Sequence, residues 1–203
     1  MIAPYSEDQR DALQEVVNIA MGQAGASLAS IFDVFVKLSV PQIQILEVKD
    51  VSQSVSSMVG SGTQITAVRQ SFYDSMRGEA IMIYNSAGCK DLADLMGYDT
   101  DIDDNIEKEL LLDVSNILVG ASLCGIAEQL DTELSFTAPS IMGLSTYVET
   151  LLEPCGLGFS HALLIEVNFS LEERNFTSHL IILMPEESIE LMRTTLDRFM
   201  ESL

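Results

Sequence analysis

Residues 11–41 read D-A-L-Q-E-V-V-N-I-A-M-G-Q-A-G-A-S-L-A-S-I-F-D-V-F-V-K-L-S-V-P. Read as a helix, Asp11, Glu15, Asn18 and Gly22 recur at i, i+4, i+7 and i+11. At about 100° per residue they share an arc of roughly 60°. The opposite side carries Leu13, Val16, Val17, Ala20, Ala24, Leu28 and Ile31, an apolar stripe at helical spacing. A carboxylate and a carboxamide therefore face away from the core, one turn apart. The outward ridge continues through Gly22, Gly25 and Ala29. Glycine costs about 1 kcal/mol in a helix interior. Glycines on an outward face imply that another backbone comes close there.

The same stretch occurs twice. A shift of 98 residues lays 109–139 on 11–41 without a gap. Val16 then matches Val114, Asn18 matches Asn116, Ile19 matches Ile117 and Gly22 matches Gly120. Ala29 matches Ala127, Asp33 matches Asp131, Pro41 matches Pro139, and Glu15 is met by Asp113. The second copy repeats the two faces: Glu109, Asp113, Asn116, Gly120 and Ala127 against Leu111, Val114, Leu118, Ser122 and Ile126. Half the chain per unit is far longer than a solenoid period. The reading is a duplicated half-domain with a pseudo-two-fold axis.

The 203 residues suit one domain or two small ones, and 47% hydrophobic residues can fill a substantial core. A formal net charge of −21 argues against nucleic acid and anionic membranes, which need clustered Lys and Arg. Cys89, Cys124 and Cys155 are odd in number and far apart, which reads as reduced thiols in a cytoplasmic protein. Cys124 is expected to be a small buried hydrophobe. No signal peptide and no membrane insertion are expected. The two histidines, His161 and His179, are isolated, so no metal site of the chain's own is expected.

Along the chain, Ser6 to Gln9 reads as a capping box for a first helix that runs to about Ser30. A strand at 42–48 follows Pro41, then a Ser- and Gly-rich loop or irregular edge at 50–64. Strands are expected at 65–72 and 78–84, and a short helix at 87–96. An acidic linker at 99–104 ends in a second capping signal, Asp104 with Glu107, before the second long helix to Gln129. The second half is expected as strand plus an irregular segment over 140–152 and a turn at 154–158. Strands at 161–169 and 178–184 follow, joined at 172–175, and a helix over 186–199 ends the chain. This is an α+β fold of about six antiparallel strands, with two long motif-bearing helices and two shorter helices on the sheet. It is one domain, 1–203, of two homologous halves, about 1–98 and 99–203.

Glu15 and Asn18 are a poor catalytic set alone. No nucleophile–base pair, histidine or cation shares their face; Arg10 and Lys108 precede the motifs but point about 100° away. An enzyme that held its own phosphorylated small substrate should carry Lys, Arg or a metal there.

The spacing Asp-x3-Glu-x2-Asn-x22-Pro, met by Asp11, Glu15, Asn18 and Pro41, resembles the signature of the CheC/CheX/FliY family of phosphatases. The resemblance covers nearly the whole chain, and the length and duplication look most like the stand-alone CheC members. The second copy departs from the pattern at Glu109 and Asp113. The resemblance implies a phosphorylated CheY-like chemotaxis response regulator as substrate and possible binding to a CheD-like deamidase. It implies Mg2+ held in the regulator's own active site. Glu15 would pair with the regulator's lysine, and Asn18 would orient the water that attacks phosphorus. Asp113 and Asn116 would form a second site. It is expected to be weaker, since Asp is shorter than Glu by roughly 1.3–1.5 Å. Asp11, Gly22, Gly25, Glu109 and Gly120 would border the docked partner, and Pro41 and Pro139 would open the following strands. A positional role for Asp11 and Glu109 competes with plain solvent exposure. The alternative reading is a non-catalytic adaptor on the same regulator or on the deamidase. A flagellar-switch element is disfavoured because no FliN-like segment follows the second half. A CheX-like single-motif dimer is disfavoured because two motifs are already joined.

Overall fold

The Ser6 side chain accepts from the Gln9 backbone N–H at 3.1 Å, and the Gln9 side chain accepts from the Ser6 N–H at 3.0 Å. This capping box satisfies two donors that a helix start leaves unpaired. It opens α1, Glu7–Phe32, in a computed structural model that describes residues 3–85, 88–97, 103–151 and 160–201. The side chains of Cys89 and Asp104 also lie outside that description, as do Cys155, the turn at 154–158 and most of the expected linker. The second long helix, α4 (Asp104–Gln129), is capped one residue earlier than expected. Asp103 accepts from the Asn105 and Ile106 N–H groups, both at 2.9 Å.

The remaining elements are β1 (Val36–Leu38), β2 (Gln42–Glu47), α2 (Val48–Val59), β3 (Gln64–Asp74), β4 (Gly78–Asn85) and α3 (Gly88–Leu95). The second half adds β5 (Leu134–Phe136), β6 (Ser140–Tyr147), α5 (Val148–Leu151), β7 (His161–Leu171), β8 (Thr177–Pro185) and α6 (Glu186–Glu201). Eight strands form one antiparallel sheet in the order β1-β7-β8-β4-β3-β5, with β2 also on β7 and β6 also on β3. The expected six strands become eight because a short strand, β1 or β5, also pairs with the same neighbour just before the break at Pro41 or Pro139. Proline cannot donate to a ladder. The repair is the same in both halves. Ser39 N donates to Asn168 O and its Oγ accepts from Asn168 N; Thr137 N donates to Ser71 O and its Oγ1 accepts from Ser71 N.

Each half lends its first strands to the other half's hairpin. β1 and β2 sit on β7, and β5 and β6 on β3, while β4 and β8 pair across the pseudo-axis. The two halves therefore share one sheet. Both sheet faces are covered. One packs against α1, α3, α4 and α6 through residues such as Leu13, Val17, Leu118, Met82, Ile165 and Phe169. The other packs against α2 and α5 through Val51, Val55, Ile81, Leu164, Val148 and Leu151.

The segment expected as a loop at 50–64 is mostly α2. Val48, Val51, Val55 and Val59 repeat at helical spacing among the serines, and burying them against the sheet outweighs the weak helix propensity of Ser. Glu149 of α5 holds its end, accepting from Ser56 Oγ at 2.7 Å and Gly62 N at 3.0 Å. Asp33 and Asp131, matched in the repeat, both adopt the left-handed conformation just past a long helix, with φ of 52° and 50°. Asp tolerates this region by bonding locally. Within α1, Ile31 is exposed rather than part of the apolar stripe.

Candidate functional site

Helix periodicity places Asp11, Glu15, Asn18 and Gly22 on one arc of α1, and all four are exposed. No hydrogen bond or ion pair engages Glu15 or Asn18 among the described residues. A Cβ built on Gly22 would meet nothing within 4 Å. The carboxylate, the carboxamide and the bare backbone thus form an open surface. Ile19 adds an apolar contact to it. It lies one turn beyond Glu15 and is 37% exposed, although it belongs to no core stripe. Its recurrence as Ile117 was the available sequence signal.

Gly25 does not belong to this surface. It is buried, and a Cβ there would lie 3.2 Å from Leu38 Cδ1. The chain turns back after the helix, and β1 covers the last third of the motif face. The approaching group is therefore a side chain of the same molecule. In the second copy the matching residue, Leu123, is fully buried. Ala127, expected on the outward side, is buried as well.

On α4, Glu109, Asp113 and Asn116 are exposed, and Gly120 has nothing within 4 Å of a built Cβ. Cys124 lies further along this side and is exposed, which overturns the expectation of burial. It follows Gly120 by one turn, before the helix passes under cover. The two helices pack on each other at Gly125, where a built Cβ would be 2.9 Å from Ala20 Cα. Close backbone contact here keeps both motif faces outward.

The sites differ beneath the asparagines. Asn116 Oδ1 accepts from Gln70 Nε2 at 3.2 Å, and the same nitrogen donates to Thr137 O at 2.8 Å. Gln70 sits on β3 among buried residues, is 3% exposed, and its Oε1 has no partner among the described residues. Strand registry pairs Arg69 with Ser140 and Glu166 with Gln42, so the position equivalent to Gln70 is Val167. Sequence reading missed Gln70. Its signal was a lone amide on the strand face that holds Val68 and Phe72.

The cations near the motifs are few. Arg10 lines a shallow groove of about 390 Å³ with Pro4, Tyr5 and residues of β2, beside the motif face rather than on it. Among the described residues no three His, Cys, Asp or Glu side chains gather as a metal site. Helix α4 alone among them is long and apolar enough to cross a membrane, but its apolar residues are largely packed into the core. Pro41 and Pro139 lie outside the motif faces, at the breaks that open β2 and β6.

No family model matches the sequence, and no curated protein does. Solved structures share the fold. FliY of Thermotoga maritima superposes with a TM-score of 0.74 at 18% identity, over 98% of this chain and 100% of that one. A chain of the FliM–SpeE complex from H. pylori gives 0.67 at 11% identity, over 98% and 100%. The chemotaxis protein CheX from Desulfovibrio desulfuricans gives 0.55 at 13% identity, over 83% and 99%. The chain therefore has the fold of the CheC/CheX/FliY chemotaxis proteins.

Proposed function

We propose that this chain is a cytoplasmic phosphatase for the aspartyl-phosphate of a CheY-like response regulator. One observation carries the reading. Glu15 and Asn18 stand exposed, without partners among the described residues, beside a glycine open to solvent, on a helix that the fold repeats. Exposure of such groups is common on helices; its recurrence on α4, as Asp113 and Asn116 beside Gly120, is what separates this face from an ordinary solvated one.

The chemistry follows from what the face holds and what it does not. It offers a carboxylate that can pair with a cation. It also offers an amide that can accept from and donate to water without adding negative charge beside a phosphate. The metal and the lysine belong to the regulator, whose active site holds the phosphoryl group. Glu15 binds that lysine and sets the register. Asn18 enters the site and orients a water in line with the bond to phosphorus. Phosphoryl transfer of this kind rests on positioning and charge stabilisation, which a bound amide supplies. Asp113 and Asn116 repeat the arrangement with a shorter carboxylate. Gly22 and Gly120 leave room for the regulator's loops.

The test is loss of phosphate from a purified, phosphorylated CheY-like regulator with Mg2+ present, comparing wild type, Asn18→Ala, Asn116→Ala and the double variant. Acceleration by wild type that is mostly lost in Asn18→Ala and abolished in the double variant supports the reading. Tight binding with an unchanged phosphate lifetime would make the chain an adaptor. The likeness to a chain from a FliM complex favours that second reading.

A further inference from the structure

We infer that Gln70 is a positioning residue that clamps the Asn116 carboxamide with its oxygen inward, and so restrains the second site relative to the first. This inference rests on the phosphatase reading for its kinetic consequence, but not for the clamp itself.

The orientation follows from hydrogen-bond chemistry. Thr137 O can only accept, so the Gln70 group 2.8 Å from it must be the NH2 and not the oxygen. That NH2 has a second hydrogen, and it points at Asn116, 3.2 Å away. Asn116 must therefore present its own oxygen inward, which turns its NH2 outward. The second site then offers a partner two donor hydrogens, with its acceptor directed toward the sheet. The first site has no such constraint. Asn18 is unpartnered among the described residues, and the residue equivalent to Gln70 is Val167, which is fully buried. An amide that orients an attacking water needs its oxygen to accept a hydrogen from that water. Asn18 can turn its oxygen outward freely, whereas Asn116 must first break a bond.

Gln70 is also poorly explained as a stability device. Its Oε1 is buried without a partner among the described residues, an arrangement that costs more than an apolar side chain would. Val occupies the equivalent place in the other half without difficulty. The Gln70 amide does satisfy Thr137 O, but that bond is offset by its own unpaired oxygen. What the amide adds beyond it is the hold on Asn116.

The experiment uses the full chain carrying Gln70→Met, with Gln70→Val as a second variant in case the longer side chain packs badly. Two readouts separate the possibilities. The first is the 15N–1H2 side-chain signal of Asn116 in the free protein, assigned with Asn116→Ala. Its position and hydrogen-exchange rate should shift toward those of Asn18 in both variants; an unchanged signal overturns the clamp. The second is turnover of a phosphorylated CheY-like regulator in an Asn18→Ala background, where the second site acts alone. Releasing the clamp should raise kcat roughly two- to tenfold, the scale of one net hydrogen bond, and leave KM unchanged. A lowered or unaltered kcat would show that Gln70 supports the site or is indifferent to it. Absence of turnover in wild type as well as in every variant would sink the phosphatase reading instead, and the side-chain signal would still decide the clamp.

Discussion

Gly22→Ala should make this protein more stable and less active. Gly22 lies in the interior of α1 with a helical backbone, exposed, and a Cβ there would meet nothing within 4 Å. Among the described residues nothing opposes a methyl group. Ala is favoured over Gly in such a place by about 0.5–1 kcal/mol. For a domain of this size that is a rise in Tm of roughly 1–4 °C. The same methyl projects about 1.5 Å from the helix backbone. If the regulator's backbone rests on Gly22, it must withdraw by a comparable distance, and Asn18 one turn away withdraws from phosphorus with it. Misplacement by about 1 Å can cost on the order of a hundredfold in rate. Stability and turnover are thus predicted to move in opposite directions.

The assay measures thermal unfolding by circular dichroism and dephosphorylation of a phosphorylated CheY-like regulator, the latter in an Asn116→Ala background so that the first site acts alone. A raised Tm with an unchanged rate would refute the docking role of the small-residue surface, because the added methyl would then have met no partner. A lowered Tm would contradict the open geometry around Gly22. Gly120→Ala should raise Tm by a similar amount and impair the second site only.

Other outcomes follow from the same geometry. Asp113→Glu should raise turnover at the second site in an Asn18→Ala background, because it restores roughly 1.3–1.5 Å of reach to a partner cation; an unaltered rate would remove Asp113 from docking. Gly125→Ala places a Cβ 2.9 Å from Ala20 Cα, and the backbones of α1 and α4 must part. It should lower stability by about 1–3 kcal/mol in a urea titration. Tyr5 donates from its hydroxyl to Ile189 O at 3.1 Å, and burial holds the phenol above its ordinary value of 10.0, with Arg193 opposing. The raised pKa means that its stabilisation is complete below pH 10 and is lost as pH rises from there toward the folded value. Tyr5→Phe should therefore cost about 1 kcal/mol near pH 7, and its deficit against wild type should shrink in alkaline titrations.

Periodicity made the long helices, the capping box at Ser6 and the pairs β3–β4 and β7–β8 legible, because each depends on residues close in sequence. The same reasoning misplaced Gly25. A helical projection ranks residues by angle alone, and cannot show that β1 returns to lay Leu38 on that turn. It misread α2 because serine content outweighed four valines at the right spacing. Of the site, Glu15 and Asn18 were readable, since their spacing and repetition need no tertiary knowledge. Gln70 was not, because its meaning depends on a strand 46 residues from Asn116 passing beneath it.

That strand comes from the other half of the chain, and the strand exchange gives this a consequence. Asn116 is presented by the second half, but its restraint, Gln70, belongs to the first. Thr137, whose carbonyl fixes the amide's orientation, returns from the second half to pair with β3. Duplication alone would have given two equal sites. Because each half builds part of the floor under the other, a change at a single sheet position such as Gln70 or Val167 can alter one site while leaving both helical motifs intact. The motif residues can then be retained for docking at both positions while turnover diverges between them. A half-domain expressed alone should fail to reproduce either site, since it would lack the strand that covers its own sheet edge as well as the residues beneath its motif.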